Sequence, residues 1–186
     1  MTLDLATPAD MAEHGRLHVQ AWQETYPGVV PQLVLDRLDP AERAVLWHGV
    51  LARGGRIRLA RLGDVLVGFG ASGVQREPEL MPYPGEFYSL YLLRRAQGHG
   101  FGRALMATMA ADLLDQGFGS AHLWMLNGNH PAAGFYAALG GRIVHTRGFT
   151  EGDWHGTDTA YAWVDITRLL PAPPGLLQLP LPGMPL

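Results

Sequence analysis

The stretch from 86 to 116, EFYSLYLLRRAQGHGFGRALMATMAADLLDQ, holds the turn on which the fold is read. Its opening, Glu86 to Leu93, is aromatic and apolar and reads as a central strand. Gln97-Gly98-His99-Gly100-Phe101-Gly102-Arg103 follows as a glycine-rich turn. A helix then runs from about Gly102 to Gln116, with Leu105/Met106, Met109/Ala110 and Leu113/Leu114 recurring at steps of four, until Gly117 and Gly119 end it. Closely spaced glycines let backbone N–H groups approach an anion without a Cβ in the way, and the helix adds its free N–H groups and positive dipole end. A phosphate or pyrophosphate suits such a turn, with Arg103 adding a charge-assisted contact. A dinucleotide fingerprint is not met, because Arg103 stands where its third glycine belongs. By spacing alone, an ordinary strand-to-helix turn fits equally well.

Upstream, Leu3 to Leu5 reads as a strand. Thr7-Pro8-Ala9-Asp10 supplies an N-cap, a proline at the first helical position and an acid, for a helix to about Tyr26 that Pro27-Gly28 stops. Asp39-Pro40-Ala41-Glu42 repeats the signal for a helix to about Ala52. Arg56 to Leu62 and Val65 to Val74 flank Gly63-Asp64 as a hairpin. Downstream, His122 to Leu126 is a second buried-looking strand, and Asn129-His130-Pro131 starts a short helix through Leu139 that Gly140-Gly141 closes. Arg142 to Phe149 and Thr159 to Ile166 read as a last strand pair around Glu151-Gly152-Asp153. The order β-α-α-β-β-β-α-β-α-β-β predicts an α/β or α+β domain with a mixed sheet.

Composition narrows the chemistry. The chain has 186 residues, 47% of them hydrophobic and 17% charged, with a net charge of −3, so it reads as one core-forming domain without the basic surface of a nucleic-acid binder. No apolar run approaches a membrane span, and no signal pattern opens the chain, which leads to the expectation of a cytoplasmic protein. Cysteine is absent, which removes disulfides, thiolate nucleophiles and Cys-bound zinc. Lysine is absent too, all 14 basic residues being arginine, which removes the P-loop lysine and Schiff-base chemistry. The last 16 residues hold six prolines among leucines, so residues 1–168 are read as the domain and 169–186 as a Pro/Leu-rich tail.

Four features in sequence carry a resemblance: the strand ending Leu90-Tyr91-Leu92, the Q-x-x-G-x-G turn, the Leu105-rich helix, and Asn129-x-x-Ala132-x-x-Phe135-Tyr136 closing with Gly140-Gly141. Together they resemble the GNAT superfamily of acetyl-CoA-dependent N-acetyltransferases. Trp22-x-x-x-Tyr26-Pro27-Gly28 is similar to the first helix of many bacterial members. The resemblance implies a mixed, mostly antiparallel central sheet flanked by helices. It implies that Gln97, Gly98, His99, Gly100, Phe101, Gly102 and Arg103 bind the coenzyme A pyrophosphate and that the backbone of Leu90, Tyr91 and Leu92 pairs with the pantetheine arm. Asn129 matches a cofactor-contacting asparagine and equally suits a helix N-cap. Where the family often has a proline and an acid after the strand, this chain has Arg94 and Arg95.

For chemistry, Tyr136 matches the tyrosine that protonates or stabilises the departing thiolate. Glu86 resembles the strand glutamate that acts as base in some members; a water chain is the alternative. Another acid used by other members falls at Trp124 here. The resemblance places the acceptor groove beside Trp22, Glu24, Tyr26 and Trp154, with Glu151, Asp153 and Asp158 nearby. Acids with aromatics suit a cationic amine, although turns are acidic in any case. His14 and His18, four apart on a helix, lack a third ligand at a matching spacing, so no metal is expected. The expected activity is direct acetyl transfer from acetyl-CoA to a primary amine of a small molecule or peptide. The alternative is a non-catalytic CoA-binding sensor or interaction module. A homodimer through the last strands or the tail is a further expectation, and neither nucleic acid nor membrane is an expected partner.

Overall fold

The glycine turn opens a helix. The structure, a computed structural model that describes residues 1–151 and 154–171, places that helix at Phe101–Asp115, directly after the strand Gly85–Leu92. The sheet comprises β1 (Thr2–Leu5), β2 (Arg56–Leu62), β3 (Val65–Val74), β4 (Gly85–Leu92), β5 (Ala121–Leu126), β6 (Arg142–Glu151) and β7 (Trp154–Trp163). Their spatial order is β1-β2-β3-β4-β5-β7-β6. Helices α1 (Met11–Thr25), α2 (Gln32–Asp36), α3 (Pro40–Ala52), α4 (Phe101–Asp115) and α5 (His130–Ala138) flank it. Every neighbouring strand pair is antiparallel except β4 with β5. A parallel pair needs a crossover, and α4 is that crossover.

The start signals act as the sequence predicts, with one refinement. Asp39 caps α3, its carboxylate accepting from the N–H groups of Ala41 at 2.8 Å and Glu42 at 2.9 Å. At Thr7 the first turn is 3-10 helix over Pro8–Asp10, closed by Asp10 accepting from the Thr7 N–H at 2.8 Å, and the α-helix begins at Met11. Two expectations needed correction. Helix α2 had no sequence counterpart: its five residues are too few to display a helical period. The last strand begins at Trp154 instead of Thr159 and stops at Trp163, with Ile166 in a 3-10 turn over Ile166–Leu169. The residues from 172 on, and with them most of the expected tail, lie outside the described residues, as do 152 and 153.

The sheet buries both faces. On one, Met106, Met109, Ala110 and Leu113 of α4 are fully buried against Phe87, Leu123 and Trp163, with Tyr136 of α5 and Leu169 in the same cluster. Each buried Met, Leu or Phe among them contributes about 1.5–3 kcal/mol. On the other face α1 and α3 cover Ile57, Leu59, Phe69 and Ala71. An ion cluster pins α4 to the sheet: the buried Asp112 carboxylate accepts from Arg58 Nε at 2.7 Å and Nη2 at 2.6 Å, and from Arg56 Nη1 at 3.1 Å. It fixes the helix whose N-terminus forms the glycine turn.

The α1 face contains His14 and His18, four apart but committed to the core. The His18 Nδ1 accepts from the Trp47 indole at 2.8 Å, while the His14 ring packs on Phe69 at 4.1 Å and on Trp47 at 5.1 Å with neither nitrogen partnered. Burial depresses His14 to about 4 and His18 to about 3. The folded state therefore binds fewer protons than the unfolded chain between pH 6.5 and 4. Their neutral burial is fully tolerated above 6.5, and stability falls as pH drops through that window. The loss is about 1.4 kcal/mol per pH unit for each ring, or about 2 kcal/mol each by pH 5. Denaturant unfolding followed by tryptophan fluorescence at pH 7.5 and pH 5 is expected to show it. His14→Leu, which sacrifices no hydrogen bond, is expected to remove about half the pH slope; an unchanged slope would clear His14 of the effect.

β4 and β5 pair at two registers alone, Gly85 with Ala121 and Glu86 with His122. Beyond that rung they part, while β4 continues against β3 as far as Leu92 and β5 continues against β7 as far as Leu126. The opening between them, closed at the far end by the glycine turn, positions the site.

Candidate active site

A cavity of about 440 Å³ fills the opening. Its walls are β4 from Phe87 to Leu92, β5 from Leu123 to Met125, the glycine turn, and the start of α5 with Phe135 and Tyr136. The backbone edges of β4 and β5 facing it have no strand between them. An amide-bearing extended ligand can satisfy such an edge as an added strand would.

At the turn, Gly98 and Gly100 adopt φ of +77° and +82°, and a Cβ on either would meet no atom within 4 Å. Both line the cavity, as do Gln97, Gly102 and Arg103. Gly100 is the cap residue of α4, so the N–H groups of the helix's first turn are open to a ligand. This is a cradle that side chains would fill, and an anion fits it. Gln97 holds the turn by donating from Nε2 to the Leu92 carbonyl at 3.0 Å. His99 and Phe101 are not among the lining residues: the His99 ring stacks on Phe101 at 5.8 Å, and its Nδ1 lies 2.7 Å from the Gln97 carbonyl.

Asn129 caps α5, its side chain accepting from the Ala132 N–H at 3.2 Å, and also lines the cavity, so it meets both descriptions given from sequence. Tyr136 lies on the same wall, packed against Phe135, Tyr161 and Trp163. Burial raises its hydroxyl above the ordinary tyrosine value, so it keeps its proton throughout the neutral range.

Glu86 is placed differently from the sequence expectation. It sits on the last closed rung, buried, and lines neither cavity. Its carboxylate accepts from Arg76 three times: Nη2 at 2.6 Å, Nε at 3.1 Å and the backbone N–H at 3.1 Å. His122 faces it, Nε2 at 4.0 Å, while its Nδ1 lies 3.2 Å from the Tyr83 carbonyl. With its oxygens occupied by a guanidinium, Glu86 is fitted to fixing the rung and not to receiving a proton from the cavity. Glu24 also lies outside both cavities. It accepts from the Arg94 N–H at 2.6 Å, and the Arg94 guanidinium donates back to its carbonyl at 2.6 Å, tying α1 to the loop before the glycine turn.

A second, smaller cavity of about 260 Å³ adjoins the first. Trp22, Tyr26 and Trp154 line it, as the sequence suggested, together with Tyr91, Trp124, Leu126, Phe149 and Asp158. Tyr26, Tyr91 and Trp124 line both cavities and so form their common wall. The Tyr26 and Tyr91 hydroxyls are 3.1 Å apart on it. Trp124, set aside from sequence as a missing acid, is thus part of the site. The signal was present in the alternation of β5, which puts His122, Trp124 and Leu126 on the face opposite the core residues Leu123 and Met125. Among the described residues no group of three or more His, Asp or Glu gathers to hold a metal, and no helix is long and apolar enough to cross a membrane.

A split sheet with a glycine cradle at one end suits an extended, amide-bearing pyrophosphate ligand. The chain belongs to the GNAT acetyltransferase family, whose profile matches residues 18–140. It is 31% identical over 169 residues to the uncharacterized N-acetyltransferase YuaI of Bacillus subtilis, covering 91% of this chain and 96% of that protein. In fold it is similar to YncA of Salmonella typhimurium, solved with its cofactor acetyl-CoA (TM-score 0.69, 20% identity, 89% of this chain and 94% of that one). It is also similar to the PaiA N-acetyltransferase of Thermoplasma acidophilum in complex with coenzyme A (TM-score 0.68, 16% identity, 87% and 98%). Membership makes the protein an acyltransferase enzyme with acetyl-CoA as its acetyl donor.

Proposed function

We propose that the protein transfers an acetyl group directly from acetyl-CoA to a primary amine. The observation that carries the reading is the parting of β4 from β5 into a cavity that runs from the glycine cradle to Tyr136. In this reading the amides of the 97–103 turn, with Arg103, bind the pyrophosphate, and the free edge of Leu90, Tyr91 and Leu92 receives the pantetheine amides. Asn129 borders the same arm. The donor supplies a thioester. The amine nitrogen forms a bond to its carbonyl carbon, the C–S bond breaks, the ammonium proton is lost and the thiolate takes one up.

The chain's residues position and stabilise. A phenol raised above its ordinary value does not transfer its proton completely to a thiolate, whose conjugate acid lies near 8.5. Tyr136 therefore acts chiefly by donating a hydrogen bond to the sulfur as charge develops on it. The amine's proton leaves through water, since Glu86 is held by Arg76. No cysteine exists to carry an acetyl group, which accords with direct transfer.

Calorimetric titration of the purified protein with acetyl-CoA, and with free CoA, tests the reading. Micromolar affinity, about −8 kcal/mol, is expected for both. Folded protein that binds neither would overturn it.

A further inference from the structure

The second cavity specifies more than an amine. Among the described residues, six of the eight that line it are aromatic, one is Leu126, and the remaining one, Asp158, is the single charged group. We infer that the acceptor is a small monoamine whose ammonium is carried on an apolar or aromatic body, an arylalkylamine being the best fit. This inference rests on the proposed acetyl transfer and names its acceptor class.

Charge accounting separates this acceptor from others. A free amino acid presents a carboxylate next to its amine, which a cation receives best; the neutral donors here are the Tyr26 and Tyr91 hydroxyls and the Trp22 and Trp124 indoles. Among the described residues no Arg or His lines the cavity, and the chain has no lysine. Two arginines lie against lining rings: Arg43 over Trp22 at 5.5 Å, and Arg147 over Trp124 at 3.9 Å, where it also faces Glu77 at 3.0 Å, Glu79 at 3.6 Å and Asp158 at 3.8 Å. Three carboxylates around one guanidinium leave this edge net negative, which favours a cation and repels an anion. A polyamine, in turn, needs a carboxylate for each ammonium along its length, and among the described residues one lines the cavity.

The aromatic walls supply the rest. A cation against tryptophan or tyrosine faces gains about 0.5–2 kcal/mol, more as it is desolvated, and an apolar body gains by leaving water. Asp158 is half-buried, its nearest charged partner is at the long distance of 3.8 Å, and burial raises its carboxyl. An entering ammonium gives it a closer partner than Arg147. The cavity shares Tyr26, Tyr91 and Trp124 with the donor cavity, so an amine held there lies next to the proposed acetyl site.

The test compares 2-phenylethylamine, phenylalanine and spermidine as acceptors at saturating acetyl-CoA, read by thiol release. The expected kcat/KM for 2-phenylethylamine exceeds the other two by about 30-fold or more, the scale of leaving one carboxylate or ammonium without a partner. Trimethyl-2-phenylethylammonium, which cannot be acetylated, is expected to quench tryptophan fluorescence and to compete with the amine. Asp158→Asn and Trp154→Leu are expected to weaken that quenching about tenfold while acetyl-CoA titrates as in the parent. Preference for phenylalanine or spermidine overturns the inference alone. So does acetyl-CoA binding with no turnover of 2-phenylethylamine and no quenching. Failure to bind acetyl-CoA overturns the acetyl-transfer reading, and this inference with it.

Discussion

Gly100→Val is expected to lower affinity for acetyl-CoA by 100-fold or more while leaving the protein folded. Gly100 holds a φ of +82° that L-residues adopt only under strain, and it caps α4 where the turn faces the cavity. A valine there tilts the turn's N–H groups and adds methyl groups in the space an anion needs. Two charge-assisted bonds to phosphate, at about 1.5–3 kcal/mol each, account for a loss of roughly 10² to 10⁴ in affinity. The strain costs about 1–3 kcal/mol of stability. Gly63→Val is the control: Gly63 also has a positive φ, +57°, but sits in the β2–β3 hairpin away from both cavities. The control is expected to carry a similar stability cost with acetyl-CoA binding as in the parent. Unchanged affinity in Gly100→Val would mean that the turn does not cradle the pyrophosphate.

Tyr136→Phe is expected to lower kcat by about 10² to 10³ and to change the KM for acetyl-CoA by less than about threefold. The separation follows from geometry. The ring is buried among Phe135, Tyr161 and Trp163, contacts that phenylalanine keeps, so folding and ground-state binding survive. What disappears, in the proposed role, is one donor for charge that exists only as the C–S bond breaks. The pH profile gives a second readout. Because burial holds the Tyr136 proton above the ordinary tyrosine range, the parent should show no alkaline loss of kcat from this group up to pH 10. A kcat within about threefold of the parent would return Tyr136 to the core.

The fold was legible wherever local signals coincide with the chemistry of an element. Thr7-Pro8, Asp39-Pro40 and Asn129-His130-Pro131 all mark real helix starts, because caps and proline act within one turn. The glycine turn announced both its helix and its opening. Helix α2 was illegible for lack of a period, and the bounds of β7 because its first half, Trp154 to Asp158, is polar and half-buried beside an open groove. At the site, Gly98, Gly100 and Tyr136 could be found through sequence pattern alone. Glu86 could not be judged that way: Arg76 reaches it only because the β3–β4 connection folds back, and no spacing rule predicts that ten-residue return. The acceptor wall was half-seen for the same reason. Trp22 and Trp154 stand out singly, but that Trp124, Phe149 and Asp158 converge on them depends on how β5, β6 and β7 are registered.

The rung that joins β4 to β5 also has a mechanical meaning. Seven strands give six seams, and five of them are stitched over four or more residue pairs; the sixth is stitched over two. The sheet is therefore two panels folded about a short crease, with α4 as the strap across it. At the crease lies the ion pair between exposed Arg76 and buried Glu86, a rivet where flexing would concentrate. An occupant of the seam works as a wedge that each panel grips by its free edge. A ligand held there is expected to brace the two panels, and its release to slacken them.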